Sequence, residues 1–179
     1  MNNHKREYLN PEEMDELYNA CENQTERLFV CLGIEAGFRI SEADSLRREH
    51  IQWQDGTITV WGKGSGRKGD LGEKKKRIVP FSHSTKLKEL LSNFFAIHDK
   101  LPYGIRAKQK WIKRIAGRTS IAKKVDYHTL RHSFATNALR KDVSLISVSQ
   151  VMGHESLKTT QVYLHNLGKH NVKAFQEKW

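Results

Sequence analysis

The sequence predicts a mainly α-helical protein that carries a small three-stranded antiparallel sheet. Over most of the chain, apolar residues recur every three or four positions, which is the spacing of one buried helix face. The segment HIQWQDGTITVWGKG instead alternates apolar and polar residues around Asp55-Gly56, which is typical of a β-hairpin. The 179 residues are enough for one compact domain with a real core.

Two helices are predicted at the start of the chain. The first begins at Pro11, because Asn10 can cap it and Glu13 is placed to complete a capping box. Apolar residues at helical spacing then continue toward a second helix, which restarts at Thr25. Gly37 is well placed to end that second helix.

A short third helix and the sheet follow. Ser41 and Asp44 form a weaker capping box for a helix that ends near Leu46. The hairpin around Asp55-Gly56 supplies two strands, and the segment KRIVPF supplies a third after a glycine- and lysine-rich loop. These three strands are expected to form the antiparallel sheet.

The rest of the chain returns to helical spacing. One helix begins at Ser84, and its apolar positions are mainly leucine and phenylalanine. Three more helices are predicted at His128 to Arg140, Val143 to Met152 and Ser156 to about Leu164. Between these parts, Lys100 to Lys124 carries nine basic residues without a single acid.

The charge of the chain favours a polyanionic partner. The formal net charge is +11, with 28% charged and 9% aromatic residues, as in a folded and strongly basic protein. The block from Lys100 to Lys124 is the part of the chain that most favours binding of a polyanion, so nucleic acid is the preferred prediction for the partner. A basic face that only confers solubility is the alternative.

Other classes of protein find little support. No apolar run approaches the roughly 18 residues of a membrane span, and the polar start MNNHKREYLN is unlike a secretory signal, so we expect a cytoplasmic protein without membrane contact. Cys21 and Cys31 lie about 15 Å apart if one helix carries both, too far for a disulfide, and are expected in the core. No Cys-x-x-Cys or His-Glu-x-x-His string is present, so no metal site is expected.

Four segments carry a resemblance to a known family. GFRISEADSL, VWGKG, HTLRHSFATNALR and VMGHESLKTTQVYLH occur in this order. Each is weak evidence alone, but four in register are hard to obtain by chance. In order and approximate spacing the chain resembles the catalytic domain of tyrosine recombinases, also called phage integrases, from about Pro11 to His165.

The resemblance implies a set of site residues. Six positions match the catalytic residues of the family: Arg39, Lys63, His128, Arg131, His154 and Tyr163. Glu42, one helical turn after Arg39, resembles the acid that supports the site. His132 is expected to support the reacting groups or to pack beside them.

These residue types suit DNA strand transfer without a metal or a nucleotide cofactor. A tyrosine phenol can form a covalent phosphate ester that stores the energy of the broken bond. Arg39 and Arg131 would clamp the charge on the phosphate, and His154 would donate a hydrogen bond to it. His128 would act as base toward the tyrosine, and Lys63 would protonate the departing oxygen. By family analogy, the product is a 3′-phosphotyrosyl link and a free 5′ hydroxyl.

Plainer interpretations exist for single residues. Taken alone, Arg39 is better explained as a helix-end arginine in a salt bridge. The lysine of the hairpin is ambiguous, because the loop after Lys63 offers Lys68, Lys74, Lys75 and Lys76 as well. The other tyrosines lie outside any matching segment: Tyr8, Tyr18, Tyr103 and Tyr127.

Several basic residues are expected to contact the backbone of double-stranded DNA. They lie in the hairpin loop and in the basic block: Arg67, Lys68, Lys74, Lys75, Lys108, Lys110, Lys113, Arg114, Lys123 and Lys124.

The domain prediction follows from where the resemblance begins and ends. Residues 1–10 form an N-terminal extension, 11–165 the catalytic domain and 166–179 a tail, so the family's N-terminal core-binding domain is not expected. The resemblance implies self-association, as a tetramer on DNA, in which the tail contacts a neighbouring protomer or folds back on its own domain.

The predicted function is therefore that of a site-specific DNA recombinase, in roles such as viral genome integration. The alternatives are a strand-nicking and closing enzyme like a type IB topoisomerase, and a non-cleaving DNA-binding protein on the same scaffold.

Overall fold

The computed structural model describes residues 7–62 and 76–163, and the statements below concern this part of the chain. Helices dominate, and one three-stranded antiparallel sheet accompanies them, so the predicted fold class is confirmed. The helices are α1 Pro11–Asn19, α2 Gln24–Ile34, α3 Ile40–Ser45, α4 Thr85–Phe95, α5 Ile105–Ala116, α6 Tyr127–Arg140, α7 Leu145–Met152 and α8 Leu157–Gln161. The strands are β1 Ile51–Gln52, β2 Thr57–Trp61 and β3 Lys76–Pro80, and a single 3-10 turn at Arg48–His50 precedes β1.

The first two helices begin as their capping residues dictate. The Asn10 side chain accepts the Glu13 N–H at 2.8 Å, and the Glu13 carboxylate accepts the Asn10 N–H at 2.9 Å. This confirms the predicted capping box. Helix α2 is capped by Asn23, begins one residue earlier than predicted and ends at Ile34. Gly37 therefore lies in the turn beyond the helix, where its φ of +63° suits glycine.

The predicted cap of the third helix is wrong. Helix α3 begins at Ile40, with Arg39 at the N-cap position, rather than at Ser41 with Asp44 completing a box. The Glu42 carboxylate accepts the Arg39 N–H at 2.6 Å and so satisfies a backbone donor at the helix start. As a result, the backbone of Arg39 is fixed by the same acid that contacts its side chain.

The sheet has the order β1-β2-β3, with Ile51 opposite Ile58 and Val60 opposite Arg77. Alternation along the strands sends Ile58, Val60 and Val79 into the core. Because Arg77 stands opposite Val60 and two residues before Val79, it lies on the core-facing side of the sheet.

Helix α5 lies within the basic block and was not predicted. Its buried face consists of Lys108, Ile112 and Ile115, a helical spacing that the density of charge concealed. Lys108 is 0% exposed. Its Nζ donates to Asp44 Oδ1 at 2.5 Å and to the backbone oxygen of Tyr103. The prediction that Lys108 contacts DNA is therefore wrong, because this ammonium is used inside the protein.

The core surrounds α2, which packs on α4, α6 and α1. Cys21 and Cys31 are buried free thiols, as predicted, and burial raises the pKa of Cys21 to about 12. A second, smaller apolar cluster lies at the far end of α6 and includes Val148, Met152 and Tyr163. In the part of the chain that the structure describes, none of the helices is long and apolar enough to cross a membrane.

Replacing Lys108 by methionine should lower the free energy of unfolding by about 1–3 kcal/mol, because a backbone oxygen and a carboxylate lose their donor. Urea unfolding at neutral pH measures the difference. Lys110→Met, on the exposed side of the same helix, is the matched control and should change stability by less than about 0.5 kcal/mol. Equal effects of the two substitutions would contradict the buried placement of Lys108.

Candidate active site

Four helices bring most of the sequence-predicted residues together. Arg39 lies at the start of α3, and Arg131 lies in the first half of α6. His154 directly follows the C-cap of α7, and Tyr163 follows α8 by two residues. Arg39 and Arg131 meet at the buried carboxylate of Glu42. His154 and Tyr163 lie beside each other, near the charge of Arg131.

Glu42 holds the arginines of the site. Its Oε1 accepts from Arg39 Nη1 at 2.9 Å and from Arg77 Nη1 at 2.5 Å. Its Oε2 accepts from Arg77 Nη2 at 2.9 Å, and Arg131 Nη1 lies 3.9 Å away. Burial alone would raise the pKa of Glu42, but the hydrogen bonds and charge of Arg77, the Arg39 N–H and the charge of Arg131 lower it below its ordinary value. The carboxylate is therefore ionised at neutral pH.

Sequence reasoning missed Arg77. This residue lies in β3, within the segment KRIVPF, and its Nε donates to the Val151 backbone oxygen at 2.7 Å. The side chain is only 8% exposed. An available signal was the position itself, because an arginine two residues before a buried valine in a strand faces the core and needs an acid there.

Arg39 and Arg131 differ in their exposure. Arg131 is buried and donates to the backbone oxygens of Gly37 and Met152. Burial, and then the charge of Arg39, lower the pKa of Arg131 to about 9, so the guanidinium remains protonated at neutral pH. The Arg39 side chain is 38% exposed and donates to the Gly153 oxygen at 3.3 Å. The salt bridge expected for Arg39 taken alone is thus present. The guanidinium of the same residue is still partly accessible to a ligand.

Tyr163 is buried, with 3% exposure, and its hydroxyl forms a 2.9 Å hydrogen bond with Nδ1 of His132. The ring of His132 lies 5.5 Å from the ring of His128, measured between centroids. His128, one turn earlier on α6, is exposed. The imidazole that touches the phenol is therefore that of His132.

His154 completes the site beside the tyrosine. Its ring is nearly parallel to the Tyr163 ring at a centroid distance of 6.3 Å, and its Nδ1 lies 2.7 Å from Thr160 Oγ1. Burial, and then the charges of Arg131 and Arg39, lower the pKa of His154 to about 4. The imidazole is neutral at pH 7 and can both donate and accept one hydrogen bond.

The basic residues predicted to contact DNA are distributed unevenly. Lys110, Lys113 and Lys124 are exposed. Two others are used in ion pairs: Arg114 with Glu26 at 2.5 Å and Lys123 with Glu13 at 2.5 Å. The predicted DNA contacts in the hairpin loop lie outside the described part of the chain, namely Arg67, Lys68, Lys74 and Lys75. The predicted catalytic residue Lys63 lies outside it as well.

An open groove borders the site. Arg39 and His154 line it on the helical side, and Trp61 and Ile78 of the sheet line it on the other. Within residues 7–62 and 76–163, no cluster of three or more His, Cys, Asp or Glu side chains could hold a metal ion.

The lowered pKa of His154 predicts a specific loss of stability in mild acid. Below pH 6.5 the unfolded chain takes up a proton at His154, whereas the folded protein does so only near pH 4, so stability falls between these values. Between pH 7 and pH 5 the loss from this residue should be about 2 kcal/mol.

Urea unfolding at both pH values, compared between wild type and His154→Gln, measures the difference. The variant should lose less stability over this interval, while His98→Gln, at an exposed position, should follow the wild type. The same decline in all three proteins would rule out His154 as its source.

Comparison with known proteins supports the assignment to a family. Residues 7–170 match the model described as "Phage integrase family". A tyrosine recombinase of Pseudothermotoga lettingae is 31% identical over 183 residues, covering 96% of this chain and 60% of the relative. Tyrosine recombinase XerC of Thermodesulfovibrio yellowstonii is 30% identical, covering 86% of this chain and 54% of the relative. The chain thus spans little more than half the length of these curated relatives.

Solved structures agree with this result. The crystal structure of XerA recombinase superposes with a TM-score of 0.74 at 26% identity, covering 88% of this chain and 60% of that chain. The catalytic domain of bacteriophage HP1 integrase shares the fold, with a TM-score of 0.69 at 22% identity, over 95% of this chain and 94% of that domain. Together with the match over residues 7–170, these likenesses show that the chain belongs to the phage integrase family.

Proposed function

We propose that this chain is the catalytic domain of a site-specific DNA recombinase, which cleaves and rejoins strands through a 3′-phosphotyrosyl intermediate at Tyr163. The observation that carries the proposal is that Arg39 and Arg131 share the carboxylate of Glu42, while the rings of His154 and Tyr163 lie beside each other near the charge of Arg131. The curated relatives described above are named tyrosine recombinases. One solved relative, the XerH site-specific recombinase at 25% identity and a TM-score of 0.68, is described as bound to its difH substrate before cleavage.

The phosphate would be held by the two arginines and the neutral histidine. Arg39 presents part of its guanidinium to the groove, and Arg131 lies buried behind it. Two fixed guanidinium groups can neutralise the charge that develops on the non-bridging oxygens in the transition state. A neutral His154 would donate one further hydrogen bond to the same oxygens without adding a charge.

The covalent step would proceed at Tyr163. The bond between the tyrosine oxygen and phosphorus forms while the bond between phosphorus and the 5′ oxygen breaks. The phenol proton would pass to His128 as the base, while His132 would hold the hydroxyl in place through its hydrogen bond. Lys63, two residues beyond β2, would protonate the departing 5′ oxygen. Because the ester keeps the bond energy, the return reaction needs no nucleotide cofactor.

The proposed partner is double-stranded DNA, bound by residues 11–165 as the catalytic unit. The groove offers exposed cations and the apolar face of Trp61, and Lys110, Lys113 and Lys124 add exposed positive charge elsewhere. Recombination exchanges strands between two duplexes, each cut at two positions, so we propose that four copies of the domain act together on DNA.

The first experiment is covalent trapping. The protein is incubated at low salt with a randomised pool of nicked duplexes and quenched with detergent. The shifted protein band is then analysed by mass spectrometry, and we expect a nucleotide on the peptide that contains Tyr163. A nucleotide on Tyr8 or Tyr103 would contradict the assignment of the nucleophile, and DNA binding without any adduct would contradict the proposed cleavage.

A second assay separates recombination from simple nicking and closing. Once the preferred site is sequenced from the trapped adducts, two labelled duplexes that carry it are mixed with the protein. Exchange of label between them is expected. Relaxation of a supercoiled plasmid without any exchange would instead assign a topoisomerase-like activity.

A further inference from the structure

The carboxyl end of α7 is held by three arginines from three different elements. Each binds one of three consecutive backbone oxygens, in the order Arg77 to Val151, Arg131 to Met152 and Arg39 to Gly153. The last oxygens of a helix lack partners within the helix, and the helix dipole favours cations there. The C-terminus of α7 is therefore a common attachment point for the arginines of the site.

Arg77 differs from the other two because each of its three guanidinium nitrogens donates a hydrogen bond to the side chain of Glu42 or to the backbone of α7. Its Nε binds Val151, and both terminal nitrogens bind the carboxylate of Glu42 in a bidentate pair. With 8% exposure, the side chain has little surface left for a phosphate. Arg77 can therefore affect a bound phosphate only through Glu42 and the end of α7, which it holds in place.

The stem of Arg77 also determines the backbone next to His154. Gly153 has a φ of +64°, and a Cβ placed on it would lie 2.7 Å from Arg77 Cδ. Glycine is required there both for the left-handed conformation and for the close approach of the arginine. The peptide that leads into His154 is thus packed directly on Arg77.

We propose that Arg77 is a positioning residue of the strand-transfer reaction, which fixes Glu42 and the end of α7 so that Arg39, Arg131 and His154 face one phosphate. The inference rests on the proposed function, which it deepens. Arg77 also belongs to β3, the strand that follows the segment containing Lys63. Through Glu42, it connects this strand to the arginines that would bind the phosphate. A lysine cannot reproduce this role, because it offers one point charge in place of a planar fork with a separate Nε–H.

Cleavage kinetics give the first test. On the site obtained by trapping, Arg77→Lys should form the covalent adduct about 30- to 100-fold more slowly than wild type, with DNA affinity within about threefold. A methylphosphonate at the cleaved position removes one negative oxygen and therefore much of the need for an arginine clamp. On that substrate the rate difference should shrink to a few-fold.

Arg118→Lys is the matched control, because Arg118 also binds a buried glutamate, Glu26, at 3.2 Å. It should leave both rates unchanged. If the lysine variant does not fold, Arg77→Gln repeats the measurement.

Nuclear magnetic resonance of the arginine side chains gives a test that needs no cleavage. The Nη–H signals of Arg39, assigned with Arg39→Lys, should exchange with water at least about fivefold faster in Arg77→Lys, because Nη1 donates to Glu42, which is then less firmly held. An unchanged exchange rate, or adduct formation within threefold of wild type, overturns the inference. Wild-type protein that forms no adduct at all contradicts the proposed function instead, and the exchange rate then decides the positioning role alone.

Discussion

Replacing Tyr163 by phenylalanine is expected to abolish covalent capture of DNA, with a loss of adduct formation of about 10⁴-fold or more. Phenylalanine keeps the ring that packs among Val148 and Met152 but removes the hydroxyl that we propose attacks phosphorus. The folded state loses the hydrogen bond to His132, which should cost about 1 kcal/mol. DNA affinity should stay within about twofold of wild type, since the arginines are untouched.

The measurement compares adduct formation and DNA binding for the same variant on the same nicked duplex. Tyr103→Phe is the matched control, because Tyr103 is 71% exposed and lies outside the site; it should form adducts at the wild-type rate. Adducts that persist in Tyr163→Phe would mean that another residue is the nucleophile. Loss of DNA binding together with the adduct would instead point to a folding defect.

Much of the local structure could be predicted from the sequence, because the relevant signals lie within a few residues of one another. The capping box of Asn10 and Glu13 and the hairpin around Asp55-Gly56 are interactions between near neighbours, and both are present. The wrong cap predicted for α3 also concerns residues that are close in sequence. Ser41 with Asp44 and Arg39 with Glu42 are both separated by three residues, and only contacts with the rest of the fold favour the second pair.

The placement of the buried lysine and arginine was harder to predict, because their ion-pair partners are distant in sequence. Lys108 binds Asp44, 64 residues away, and Arg77 binds Glu42, 35 residues away. Net charge and the local density of charge indicate a basic protein but do not distinguish a lysine that faces solvent from a buried one that pairs with an acid of the same protein. Helical spacing in α5 and strand alternation in β3 carry that information, and both were hidden by the surrounding charge.

The family resemblance identified residues of one site but left their arrangement open. It predicted Arg39 and Arg131 as neighbours of a phosphate and Glu42 as the acid that supports the site, whereas the structure adds that Glu42 is shared by three arginines. It also assigned the proton of Tyr163 to His128, while the contact in the structure is made by His132. Such details depend on side-chain orientation, which sequence order does not determine.

Replacing Glu42 by glutamine should lower the free energy of unfolding by about 3–5 kcal/mol. Each carboxylate oxygen accepts from both Arg39 and Arg77, whether from the backbone or from a guanidinium. An amide has the same shape but only one accepting atom, so its NH₂ group would face donors and leave them unpaired. The buried guanidinium groups would also lose the negative charge that balances them. Urea unfolding at pH 7 measures the loss, and Glu12→Gln, at an exposed position of α1, is the matched control.

The pH dependence of this variant provides a stricter test. Because the pKa of Glu42 lies below the ordinary value of 4.5, its ionised form stabilises the fold fully above pH 4.5, and this stabilisation is lost as the pH falls through the folded-state pKa. The difference between wild type and Glu42→Gln should therefore be constant from pH 7 to about pH 5 and narrow below pH 4.5. Both proteins carry His154→Gln in this comparison, because the arginines that bind Glu42 also lower the pKa of His154, so the two titrations are coupled. A deficit under about 1 kcal/mol at pH 7, or one that does not narrow in acid, would show that the arginines of the site do not depend on this carboxylate.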